Sequence, residues 1–188
     1  SGQLLLGMTS GALLLVELDG SMAWSRSAGP KRVASLEVLP GGERALVATD
    51  EGSVTCWSLP AGEELLRFQT EPLSSLALSG QRILLGHQSG ALELRDATSG
   101  TQLWSRPGAV GALPLVALAS PSEALVGGAS GRVRRLALAD DPALVRELWP
   151  AAETPRPVLA FGFRPGRSEQ ITSVEAGRLR TWSTQREP

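Results

Sequence analysis

The chain has 188 residues, 42% of them hydrophobic and 20% charged, with a formal net charge of -1. That balance excludes a disordered chain and gives no general reason to expect nucleic acid or a membrane as partner. The lone cysteine, Cys56, excludes an intramolecular disulfide and a thiolate metal cluster.

The first pattern along the chain is a β-hairpin over Leu4–Leu18, with Ser10-Gly11 at the turn. It recurs as Ala45–Leu59 around Glu51-Gly52, Ile83–Asp96 around Ser89-Gly90, Ala124–Leu138 around Ser130-Gly131 and Ile171–Ser183 around Ala176-Gly177. The hairpin glycines are 41, 38, 41 and 46 residues apart. Five residues after each stands the same strand position: Val16, Trp57, Arg95, Leu136 and Trp182. A fixed period of this kind is the signature of a repeat architecture. Glycine suits a tight antiparallel turn because it takes positive φ without a Cβ clash.

Each hairpin is flanked by two further strand-like pieces. Upstream lie the apolar segments Val33–Leu39, Leu73–Leu78, Leu115–Ala119 and Val158–Phe163, each followed by a Gly, Pro or Ser turn. Downstream lie Met22–Ser25, Glu64–Gln69, Thr101–Ser105 and Leu144–Trp149, each with one large aromatic. Asp141–Leu148 has the only helix-like spacing, and Pro142 together with the repeat phase makes it a strand instead.

Four short strands in about 40 residues read as one blade of a radial array. The expected fold is all-β, a β-propeller of four-stranded antiparallel blades. The traces run 1–28 (partial), 33–70, 73–108, 113–150 and 157–188 (partial), within a single region 1–188. Four to five blades are visible, so the ring is expected to be incomplete and the chain to be the C-terminal part of a larger propeller. Trp24, Trp57, Trp104, Trp149 and Trp182 are assigned to packing between blades.

Ala48-Thr49-Asp50-Glu51-Gly52-Ser53-Val54-Thr55-Cys56-Trp57-Ser58 resembles the WD-repeat signature, in which an acidic turn with Gly precedes a strand ending in Trp-Asp. Leu92-Glu93-Leu94-Arg95-Asp96 is similar, with Arg for Trp, and Leu179-Arg180-Thr181-Trp182-Ser183 keeps Trp without Asp. No copy carries the family's Gly-His pair before the innermost strand. His87 is placed in a hairpin turn, where the family's buried His–Asp network could not form. Gly90–Trp104 looks instead like the repeat of quinoprotein-type propellers, supported by Trp24-Ser25-Arg26 and Trp104-Ser105-Arg106. Both resemblances imply the same architecture, and the WD reading is placed first.

No catalytic set emerges. His87 is the only histidine, so neither a second imidazole for a metal site nor a recognisable triad is present. Glu63-Glu64 and Asp140-Asp141 are adjacent carboxylates that would point apart on a strand. The glycine-rich Gly127–Gly131 stretch lies between strands, whereas a phosphate cradle needs a following helix. Arg132, Arg134 and Arg135 lack the interleaved aromatics of a single-strand binder. Cys56 reads as a small buried thiol.

The reading is therefore a non-enzymatic scaffold without cofactor or metal, binding proteins, with nucleic acid possible but not indicated and no membrane. It would be the C-terminal propeller of a larger multidomain protein. The opening Ser1-Gly2-Gln3 lacks a signal-peptide pattern, which suggests a cytoplasmic setting, with the nucleus as alternative. By the resemblance, the binding rim combines hairpin turns near Glu51, His87, Gln88 and Ser130 with blade linkers near Lys31, Arg32, Arg106 and Arg156. The alternatives are a regulatory or RNA-associated sensor attached to a nucleotide-binding ATPase, and a quinoprotein-like accessory propeller.

Overall fold

The structure is a computed structural model. It describes residues 2–39, 41–108, 114–129 and 133–138, together with the backbone of four later strands. Every regular element among the described residues is a β-strand. The chain divides into two compact units, Ser1–Leu76 and Ala77–Pro188.

In the first unit, β1 (Gln3–Gly7), β2 (Ala12–Glu17) and β3 (Met22–Ser27) form a sheet in that order. β4 (Val33–Val38), β5 (Arg44–Thr49), β6 (Ser53–Ser58) and β7 (Glu63–Gln69) form the next. The unit boundary falls within β8 (Leu73–Ser79), which opens a sheet continued by β9 (Arg82–His87), β10 (Leu92–Asp96) and β11 (Gln102–Arg106). A fourth sheet contains β12 (Leu115–Ser120), β13 (Glu123–Gly127), β14 (Val133–Ala137) and β15 (Ala143–Trp149). The last contains β16 (Val158–Arg164), β17 (Arg167–Glu175) and β18 (Arg178–Ser183). Each sheet is an antiparallel meander, the order expected of propeller blades. Of the segment 141–148, expected to be extended because of Pro142, residues 143–148 lie in β15, and 141 and 142 lie outside the described residues.

The glycine turns are held from two sides. Gly11 and Gly52 have φ of +81° and +89°. The carbonyl of Gly11 accepts from the Ala28 amide and that of Gly52 from the Thr70 amide, both at 2.9 Å. The chain leaving each outer strand therefore lies against the hairpin turn. A Cβ on Gly52 would sit 2.3 Å from the Thr70 carbonyl oxygen and 2.4 Å from that of Glu71. Glycine is required there by the close approach as well as by the turn. The turns at Gly131 and Gly177 lie outside the described residues.

The core sits between consecutive sheets. In the first unit, Leu13, Leu15 and Trp24 pack against Ala45, Val47, Trp57 and Leu59. In the second, Leu84, Leu92, Leu94 and Trp104 pack against Ala124, Val126, Leu136 and Leu138. Burial at roughly 25 cal/mol per Å² of apolar surface makes these seams the main source of stability. The Trp24 indole also donates to the Leu59 carbonyl at 2.7 Å, and the Arg26 guanidinium lies 5.9 Å from its ring centroid.

The tryptophans do not form one equivalent set. Trp24 and Trp104 lie on outermost strands, opposite Leu15 and Leu94. Trp57 lies on the third strand of its sheet, where its indole donates to Thr55 Oγ1 at 2.7 Å. Trp149 and Trp182 fall on an outermost and a third strand respectively. A one-residue bulge lies on each of β3, β7 and β11, at Ala23, Leu65 and Leu103, directly before Trp24, Leu66 and Trp104. These bulges shift the face of every later residue on the strand.

Candidate functional site

The hairpin turn of the second sheet and the linker entering that sheet converge in the first unit. The Asp50 amide donates to the Arg32 carbonyl at 3.1 Å, which draws the two segments together. Lys31 Nζ then lies 3.2 Å from Glu51 Oε1, and Arg32 Nε lies 3.5 Å from Asp50 Oδ2. Lys31, Arg32 and Glu51 are all exposed, as the rim reading requires. Exposed pairs of this kind contribute only about 0–1 kcal/mol to stability, so their charge remains accessible to a partner at little cost to the fold. Asp50 belongs to this group although the sequence reading did not single it out. Its position beside Glu51 in an acidic turn was the available signal.

In the second unit, Gln88 lies exposed in a hairpin turn and Arg106 lies exposed at the end of β11. Ser130 and Arg156 lie outside the described residues.

His87 requires a correction. It is the last residue of β9 rather than a turn residue, and only 2% of its surface is exposed. It cannot present itself to a partner from there. Its Nε2 donates to Glu93 Oε2 at 3.0 Å, and Arg95 Nε donates to the other oxygen, Oε1, at 2.6 Å. Arg95 Nη1 also donates to the Gly100 carbonyl at 2.7 Å. A buried histidine–carboxylate network is therefore present inside a sheet, with glutamate as its acid. Register explains the error: His87 ends β9 and donates its amide to the Ala91 carbonyl, so the exposed turn begins only at Gln88. The clue to the network was Glu93, a charged residue between Leu92 and Leu94 on an otherwise apolar run. Two charge-assisted contacts to one carboxylate offset the cost of burying it.

Several of the remaining polar candidates have structural partners. Glu64 pairs with Arg67 at 2.5 Å, and this hydrogen bond holds its carboxyl below the ordinary range. Arg135 pairs with Glu123. Asp96 Oδ1 accepts from the amides of Thr98 and Ser99 at 2.9 and 2.8 Å, closing the turn after β10. Cys56 is buried, which pushes its thiol pKa up and makes the reactive thiolate harder to form. Arg132, Asp140 and Asp141 lie outside the described residues. Among the described residues, no group of three or more His, Cys, Asp or Glu could hold a metal ion.

No curated protein matches the chain. Among solved structures, it is similar to BamB from Moraxella catarrhalis, with a TM-score of 0.78 at 14% identity. The match covers 99% of this chain and 56% of that one, so the chain spans about half the length of that structure. At this identity the likeness is one of fold. A quinoprotein-type family model, described as outer membrane protein assembly factor BamB, matches residues 10–149. This supports the resemblance carried by Gly90–Trp104, rather than the WD signature placed first. With most of its length matched, the chain belongs to the BamB family of β-propellers.

Proposed function

We propose that this chain is a non-catalytic, protein-binding propeller segment. Its role would be that of an assembly factor, as the family description reads, and it would work as a module of a longer protein. The observation that carries the proposal is the Lys31–Glu51 and Arg32–Asp50 rim, where both signs of charge stand exposed on two converging segments. Mixed charges at a rim steer and orient a protein partner more than they add raw affinity.

The test is capture of partners from the source organism by the natural gene product, compared with a Lys31→Glu, Arg32→Glu, Glu51→Lys variant. Binding of the partner should weaken by at least about tenfold while the circular dichroism spectrum and melt are retained. Unchanged capture by the variant would remove the rim from the proposal. Cell fractionation separates two settings: an outer-membrane assembly role places the protein outside the cytoplasm, and the sequence expectation places it inside.

A further inference from the structure

The seam of the first unit and that of the second repeat each other in sequence but not in hydrogen bonding. Counted from the hairpin glycines, Gln3 matches Arg82, Glu17 matches Asp96, and Leu59 matches Leu138. Trp24 and Trp104 match through the residues they lie opposite, Leu15 and Leu94, which stand four residues after Gly11 and Gly90. In the first unit Gln3 Nε2 donates across its own hairpin to Glu17 Oε1 at 2.6 Å, and the Trp24 indole donates to the Leu59 carbonyl at 2.7 Å. One bond stays within the sheet and the other crosses the seam.

In the second unit a different donor takes the matching acceptor. Arg82 lies directly opposite Asp96, as Gln3 lies opposite Glu17. Its guanidinium does not go to that carboxylate. Arg82 Nη1 instead reaches across the seam to the Leu138 carbonyl at 2.5 Å. The Trp104 indole N–H, on a residue only 9% exposed, is left without a hydrogen-bond partner. Asp96 meanwhile accepts from the Thr98 amide, the Ser99 amide and the Ser99 hydroxyl, all at Oδ1. Its Oδ2 keeps its capacity for a guanidinium.

We propose that this seam is a two-state device whose second arrangement is the one displayed by its counterpart in the first unit. Arg82 turns back to pair with Asp96 Oδ2, and the Trp104 indole takes the released Leu138 carbonyl. The move needs only a change of one arginine rotamer, because residues directly opposite on antiparallel strands have Cβ atoms about 5 Å apart. Opposing terms bring the two arrangements close in free energy. The first holds a charge-assisted hydrogen bond across the seam but leaves a buried donor unmade. The second satisfies the indole but spends Arg82 on a partly exposed ion pair, which is worth little. The exchange decides which side chain of the third sheet ties it to the fourth, a flexible arginine or a rigid indole. A ligand that engages the Asp96 carboxylate therefore holds the arginine-tied form, since a ligand shifts such a balance by binding one state better.

Nuclear magnetic resonance of the natural gene product with isotopically labelled tryptophan tests the exchange at the indole protons, with Trp104→Phe identifying the resonance. Arg82→Met keeps an unbranched stem but has no donor. It should move the Trp104 indole proton downfield, towards that of Trp24, and slow its hydrogen exchange about tenfold. Asp96→Asn keeps an oxygen for the Thr98 and Ser99 amides but removes the charge that draws Arg82 back. It should move the same proton upfield and speed its exchange, and it carries the test if Arg82→Met folds poorly. The Trp24 proton should stay in place in both variants. An unmoved Trp104 proton in folded Arg82→Met overturns the proposal, because the Leu138 carbonyl is then not shared. An unmoved proton in Asp96→Asn also overturns it, by removing Asp96 as the second seat of the arginine.

Discussion

Gly52→Ala should destabilise the chain far more than Gly20→Ala, although the two glycines share nearly the same backbone conformation. Their φ values are +89° and +88°. Alanine in that region costs about 1 kcal/mol at either site from the backbone alone. At Gly20 nothing lies within 4 Å of the added methyl group, so the cost should stop there. At Gly52 the methyl would meet two backbone carbonyl oxygens at 2.3 and 2.4 Å, and neither can rotate away as a side chain could. Relieving the clash means moving residues 70–71 and breaking the Thr70 amide bond to the Gly52 carbonyl. A broken buried hydrogen bond and the accompanying shift add about 2 kcal/mol, for a total near 3 kcal/mol. Urea denaturation followed by tryptophan fluorescence measures both variants. Equal losses at the two sites would refute the close-approach account and leave only the turn conformation.

Three further outcomes follow from particular contacts. Trp24→Phe should cost about 1 kcal/mol more than Trp104→Phe in the same denaturation assay, because the Trp24 indole donates to Leu59 while the buried Trp104 Nε1 has no hydrogen-bond partner among the described residues. Equal costs would show that indole volume alone matters. Glu93→Leu should cost about 3 kcal/mol by removing the buried carboxylate that His87 and Arg95 share. A neutral result by thermal melting would mean that the network adds no net stability. Asp96 is held below its ordinary carboxyl value of 3.8, first by its hydrogen bonds from Ser99. A lowered folded-state pKa contributes stability that is present above the unfolded value and lost as pH falls through the folded one. The acid loss of stability below about pH 4 should therefore be shallower in Asp96→Asn than in the parent, and matching slopes would discount this turn.

The all-β fold and strand phase are legible in the sequence because both are local. Glycine turns and apolar runs recur at a period set by one meander, and any chain that repeats them must pair its strands in the same order. The exposure of Lys31, Arg32 and Glu51 was legible for the same reason, since linkers and hairpin turns are surface by construction. Facing was not legible. His87 and Gln88 are neighbours in the sequence, yet one is buried at a strand end and the other is exposed, a difference set by where pairing with Ala91 stops.

Trp24 and Trp57 look alike in sequence. Their strands differ in place within the sheet, and the bulge at Ala23 decides which face Trp24 joins. The sequence by itself determined how many strands form, in what order, and which residues mark the turns. The tertiary structure alone decided which side of each strand meets another sheet. Alternation along a strand defines two faces equally well, and only packing against a specific neighbour distinguishes the covered face of Leu13 and Leu15 from the open face of Leu4 and Leu6.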